Sequence, residues 1–230
     1  MTYKKAIFGA HSAMALALAL VVSGAISTPV QAGVLDATGA KKLLGNASDN
    51  ALEKLAQPGT FYADTAIRIL LPGAKGKLAT KLIGMSDRLG VTSKLTKSLN
   101  DAAGFAAQEA KPVFRSAVDG LKLTDVPDLA LKSDGATQYL KKSANTDLRA
   151  KVRPLIIAAL TKVGAFSQLD KLGSGGGVLG LAGLNKDGLT DSVTDQTMKG
   201  IFTYMAKEEG ALRGNALGIG KSILDGIIKK

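Results

Sequence analysis

The sequence predicts an all-α protein, a single-domain helical bundle with kinked helices and one short extended segment. Three observations lead there. Apolar residues recur three and four apart in window after window, the period of a helix with one face against a core. Ala, Leu and Lys are abundant while aromatic residues make up 4% of the chain. Strict apolar alternation is confined to one stretch near residue 68.

The first 32 residues stand apart from this bundle. Lys4 and Lys5 form a basic start, Ala13 to Val22 an uncharged apolar run, and Gly24 breaks it. Val30, Gln31 and Ala32 then place small residues at the −3 and −1 positions of a cleavage site before Gly33. This is the layout of a secretory signal peptide. The apolar run is shorter than the ~20 residues a spanning helix needs. The expected organisation is a cleaved signal over 1–32 and one helical domain over 33–230, placed in the periplasm or secreted.

The domain's elements follow in order. Leu44, Ala47, Ala51, Leu52 and Leu55 make the first stripe, with Lys41, Lys42, Asp49, Glu53 and Lys54 outside, and Gln57-Pro58-Gly59 stops it. Thr60 to Pro72 reads as extended, because Ile67, Ile69 and Leu71 alternate with Arg68 and Leu70. Leu78, Leu82, Met85 and Leu89 form a second helix closed by Gly90. A longer stripe runs Leu95, Leu99, Ala102, Ala106, Ala110, Val113, Ala117, and Pro112 should kink or split it near residue 111. Its small residues imply close helix approach. Thr124 can cap a short helix containing Leu129, and Asp134 the helix Gly135 to Lys142. Leu148, Val152, Leu155, Ile156, Ala159 and Val163 make the next stripe, with Pro154 inside it and Gly164 after it. Residues 173–188 form a glycine-rich loop. Thr190 or Asp191 should open a helix with Val193, Thr197, Met198, Ile201, Phe202 and Met205 inward, ending near Gly210. Ala216 to Lys230 reads as a last, basic amphipathic helix.

Several of these pieces together resemble one family, the bacterial domain of unknown function DUF4197. They are Ala66 to Pro72, Leu99 to Ala103, Ala110 to Phe114, Asp134 to Leu140, Arg153-Pro154, Leu189 to Asp191, and Lys207 to Glu209 with Arg213 and Asn215. The run Gly135-Ala136-Thr137-Gln138-Tyr139-Leu140 is the most specific. The family's Met-Asn-Arg-Ala-Ala-Glu is replaced here by Leu99 to Gly104, and the glycine-rich loop replaces a more ordinary segment. The resemblance implies an exported helical domain and carries no activity with it.

Composition removes whole classes of chemistry. There is no Cys, and the one His, His11, lies in the signal. Disulfides, thiolate or imidazole catalysis and Cys or His metal sites are therefore excluded, and no cofactor is expected. Net charge is +11, of which Lys4 and Lys5 supply two, leaving +9 on the exported part. That balance suits anionic partners. Nucleic acid is disfavoured by export and by the scarcity of stacking aromatics.

Three motifs are weak. Gly175, Gly177 and Gly180 match a dinucleotide-binding spacing without the strand it requires. Gly220-Lys221-Ser222 has Asn215 where a phosphate-binding loop has its first glycine. Asp187, Asp191 and Asp195 are spaced by four, unlike a calcium loop, and suit a helix N-terminus.

Thr137, Gln138, Tyr139 and Arg153 are the candidate ligand-binding residues. They either tie one helix to its neighbours or line a small polar pocket for an anion. Arg213 near Glu208 and Glu209 reads as a surface or interdomain ion pair. Lys221, Lys229 and Lys230 are candidate contacts to an anionic membrane surface, if the last helix lies free. The expected function is a non-enzymatic binding or interaction protein of the cell envelope, its partner an unidentified small ligand or envelope protein. The alternatives are a membrane-surface protein and an enzyme using carboxylate or Lys chemistry.

Overall fold

The computed structural model describes residues 37–72, 92–122, 129, 132–173 and 185–228, by backbone alone from residue 216 onward. Among these residues there are seven helices and no strand: α1 (Ala37–Leu55), α2 (Thr60–Ala63), α3 (Ser93–Glu109), α4 (Lys111–Asp119), α5 (Gly135–Lys162), α6 (Ala165–Gly173) and α7 (Lys186–Ile228). The all-α expectation holds. The signal segment, the Leu78–Leu89 helix, the Thr124 cap and residues 174–184 of the glycine-rich loop lie outside the described residues.

The core forms where the stripes meet. α1, α3, α5 and α7 pack around one another, α4 closes the gap between α1 and α5, and α2 and α6 lie against α3. Leu44, Ala47, Ala51, Leu52 and Leu55 are buried, as are Leu95, Leu99, Ala102, Ala106 and Ala110. Phe114 of α4 meets Phe202 of α7 edge-on at 6.0 Å. Burying each such large side chain contributes roughly 1.5–3 kcal/mol. The alanines of α3 let helices approach closely: a methyl added at Gly104 would sit 3.4 Å from the Leu55 carbonyl oxygen.

Pro112 splits its stripe as expected. α3 ends at Glu109 and α4 opens at Lys111 with the proline in its first turn, where a missing N–H costs nothing. Gly59, at φ 81°, turns the chain between α1 and α2. Gly164, at φ 70°, lets α6 leave α5 at 70°. No single described helix is long and apolar enough to cross a membrane, although the bent α5–α6 pair is when taken together.

Four expectations are corrected. First, Thr60–Ala63 is helical; only residues 68–72 are extended. The alternation survives there, with Ile67, Ile69 and Leu71 buried and Leu70 56% exposed. Among the described residues no strand pairs with this segment. Asn100 instead accepts from the Ile69 N–H (2.8 Å) and donates to its carbonyl (2.9 Å). Gln196 does the same for Leu70, at 2.9 Å in each direction. Two side-chain amides thus stand where neighbouring strands would.

Second, α5 runs unbroken from Gly135 to Lys162 through Pro154. The proline is exposed, and the continuous burial of Leu148, Val152, Ile156 and Leu160 outweighs one lost backbone bond. Third, α7 opens at Lys186 rather than at Thr190, with Asn185 accepting from the Gly188 N–H at 2.8 Å. It also passes through Gly210 instead of ending there, so Gly220-Lys221-Ser222 lies on a helix rather than in a phosphate loop. Gly210 lies beside Ser133, where an added methyl would make ordinary contact at 3.8 Å. Fourth, Asp134 precedes α5 without capping it by side chain; its carboxylate accepts from Gln138 at 3.0 and 2.9 Å.

Candidate functional site

The site lies on the seam between α5 and α7. The two helices run antiparallel, so residue numbers fall along one as they rise along the other, and the seam has three successive parts.

The first is a ladder of opposite charges. Arg153 donates to Asp191 (2.8 Å) and Asp187 (3.5 Å), and Arg149 to Asp195 (2.5 Å) and Asp191 (3.4 Å). Spacing by four places the two arginines on one face of α5 and the three aspartates on one face of α7. The Arg153 hydrogen bond is the main reason the Asp191 carboxyl titrates below its ordinary range. The same contacts raise both guanidinium groups further above theirs.

The third part, at the other end, caps α5. Glu209 is wholly buried. Its carboxylate accepts from the backbone N–H groups of Ala136 (3.0 Å) and Thr137 (2.7 Å), in the first turn of α5. Arg213, one turn on, donates to Glu209 at 2.7 and 3.0 Å and to the Leu129 carbonyl at 3.0 Å. A carboxylate at a helix N-terminus meets free donors and the positive end of the dipole. The chain at Leu129 comes so close that a methyl on Gly135 would lie 2.4 Å from its carbonyl oxygen. The surface ion pair expected of Arg213 is corrected: its partner is wholly buried and the arginine itself 14% exposed, because the pair caps a helix inside the fold.

Between ladder and cap the seam opens into a groove of about 700 Å³. α5 and the residue before it line the groove with Asp134, Thr137, Gln138, Lys141, Lys142 and Asn145; α7 lines it with Lys199, Phe202, Thr203 and Ala206. Lys141, Lys142 and Lys199 are exposed and form no ion pair with the described residues, and the Lys141 ammonium lies 5.9 Å from the Phe202 ring centre. Thr137 is 2% exposed, and its hydroxyl has no hydrogen-bond partner among the described residues. Buried hydroxyls are normally satisfied; this one sits in the groove wall without a partner.

The four sequence-predicted residues are not brought to one place. Thr137 and Gln138 line the groove. Tyr139 points to the other flank of α5, where its hydroxyl donates to the Lys122 carbonyl at 2.6 Å. Arg153 belongs to the ladder. The single pocket of Gln138, Tyr139 and Arg153 is therefore not formed: residues 138 and 139 project about 100° apart on the helix, and Asp191 engages the guanidinium. The side chain of Lys221 and residues 229–230 lie outside the described residues. Sequence reasoning missed Lys141, Lys142, Asn145, Lys199 and Phe202. Phe202 was legible as an inward residue, but only the pairing of α5 with α7 brings Lys199 to Lys141.

Among the described residues no three carboxylates gather as a metal site would require. The two aspartates whose titration is displaced, Asp64 and Asp191, are both displaced downward, Asp64 chiefly by the Ala66 N–H. Neither is poised as an acid near neutral pH.

Residues 35–228 match the family described as "Protein of unknown function (DUF4197)". The match covers most of the chain, which therefore belongs to that family. No curated protein and no solved structure matches it.

Proposed function

We propose that this DUF4197 protein is an exported, non-enzymatic binding protein of the cell envelope, and that its α5–α7 groove takes an anionic ligand. One observation carries the reading. Three exposed lysines without ion-pair partners among the described residues, Lys141, Lys142 and Lys199, line one groove together with Thr137, whose buried hydroxyl has no partner there. Asp134 is the one carboxylate in the lining, against three lysines, so the groove keeps a positive balance to meet an external anion. Gln138, Asn145 and Thr203 on the groove walls supply neutral hydrogen-bonding groups beside the charge, and Ala206 a small apolar surface. The signal-like layout of the first 32 residues supports binding outside the cytoplasm.

Native mass spectrometry of the protein purified gently from its own exported fraction tests this. A reproducible added mass is expected, and the double variant Lys141→Glu/Lys199→Glu should lose it. Charge-assisted contacts of this kind change affinity by about tenfold or more each. A clean apo mass in the wild-type protein, or an added mass the double variant retains, removes the groove as the site.

A further inference from the structure

The groove is not the only polar depression on α5. A second, of about 360 Å³, lies on the opposite flank, where Ser116, Lys122, Tyr139, Ser143, Asp147 and Lys151 meet. Tyr139, Ser143, Asp147 and Lys151 follow one another by four, a single row along the helix. Gln138 and Lys142, and Lys141 and Asn145, form the neighbouring rows that face the groove. Lys142, Ser143 and Thr146 are exposed on the crest between the two. The depressions are therefore separated by about the width of one helix, roughly 10–12 Å.

We propose that an acidic polysaccharide, a chain of hydroxyl-rich repeats bearing acid groups, lies across α5 from the groove to this second depression. The inference rests on the groove reading above and names its ligand class. Five exposed lysines flank the track, at 122, 141, 142, 151 and 199, none in an ion pair with a described residue. Against them stand Asp147 and Asp134, the latter already held by the Gln138 amide. A single small anion meets the charge on one flank only; a repeating one meets both, with the gain of linked binding. Hydroxyl groups line both depressions, joined in the groove by the amides of Gln138 and Asn145, and suit sugar hydroxyls. The apolar ring in the groove, Phe202, is buried and offers no face on which bases could stack. No described strand edge is present to pair with an acidic peptide. Tyr139 acts as a positioning residue, since its bond to the Lys122 carbonyl fixes the backbone that carries Lys122.

Calorimetric titration of the exported protein with galacturonic acid monomer, trimer and longer oligomers tests the inference, with an uncharged glucan as control. Affinity should rise about tenfold or more with length, and more steeply at low salt. The exposed double variant Lys122→Glu/Lys151→Glu, checked for unchanged melting, should keep the short acids and lose the gain with length. Tyr139→Phe should reduce that gain without affecting the monomer. Affinity independent of length, a gain that survives the Lys122/Lys151 changes, or equal binding of the glucan overturns the proposal. Short acids bound in the groove with no gain would leave the groove reading standing and remove this one. Failure of both short and long acids to bind would remove this proposal, while the groove reading stands or falls on the native mass of the protein.

Discussion

α7 meets α5 at two junctions, each involving arginine and carboxylate, yet they differ in kind: in the ladder the pairs cross between the helices, whereas at the cap Arg213 and Glu209 both lie on α7 and only the carboxylate reaches α5. At the ladder the carboxylates face water, and Asp187 is 91% exposed. At the cap Glu209 is wholly buried and bonds two backbone N–H groups besides Arg213. In water an ion pair competes with hydration and is screened; inside the fold its loss strands a charge and two helix donors. Burial and backbone partners, rather than charge, set what each junction contributes.

The largest expected effect comes from breaking the cap. Glu209→Ala should cost about 3–5 kcal/mol in denaturant unfolding, since it leaves Arg213 and the first turn of α5 without their acceptor. Salt should not restore it. A loss below 1 kcal/mol would place this pair with the surface ones. Next in size is Asn100→Ala, a buried change with no charge involved. It removes both partners of the Ile69 backbone and should cost about 2–4 kcal/mol. A near-neutral result would mean that charge matters more than burial.

The ladder should respond weakly. Asp191→Asn is expected to change stability by no more than about 1 kcal/mol, shrinking further as salt shortens the screening length. Its pH signature is distinctive. The folded Asp191 titrates below its unfolded value, so its contribution is full above about pH 4 and is lost as pH falls through the folded value. The Asn variant should therefore lose part of the acid limb of the stability curve; an unchanged limb would show that Arg153 does not hold this carboxylate in solution. The smallest effect belongs to Thr137→Val. Replacing a buried, unpartnered hydroxyl by a methyl should be neutral or stabilising by up to about 1 kcal/mol while weakening ligand binding. A clear destabilisation would mean that the hydroxyl has a partner within the fold.

Local periodicity made much of the bundle legible. Leu44 to Leu55 and Val193 to Met205 were readable as inward faces, because a stripe is a property of one helix. Helix ends were harder. Pro154 and Gly210 are breakers by propensity, but α5 and α7 continue through them because each buries a continuous face or meets a close neighbour. The cap was misread for a related reason. Asp134 stands where a capping residue should, but the carboxylate that meets the α5 donors comes from residue 209, far along the chain. The groove was half legible: Thr137 and Gln138 lie on one element, whereas Lys199 joins them only through the pairing of two helices.

The amide clamp on residues 69 and 70 has a further consequence. Ala66 to Leu71 is short, rich in β-branched and aliphatic residues, and carries one charge, the composition of a segment prone to stacking with copies of itself. Such stacking needs free backbone edges. Asn100 occupies one edge at Ile69 and Gln196 the other at Leu70, so the native fold withholds this segment from intermolecular sheet growth. The same two amides that shape the interior therefore also guard solubility.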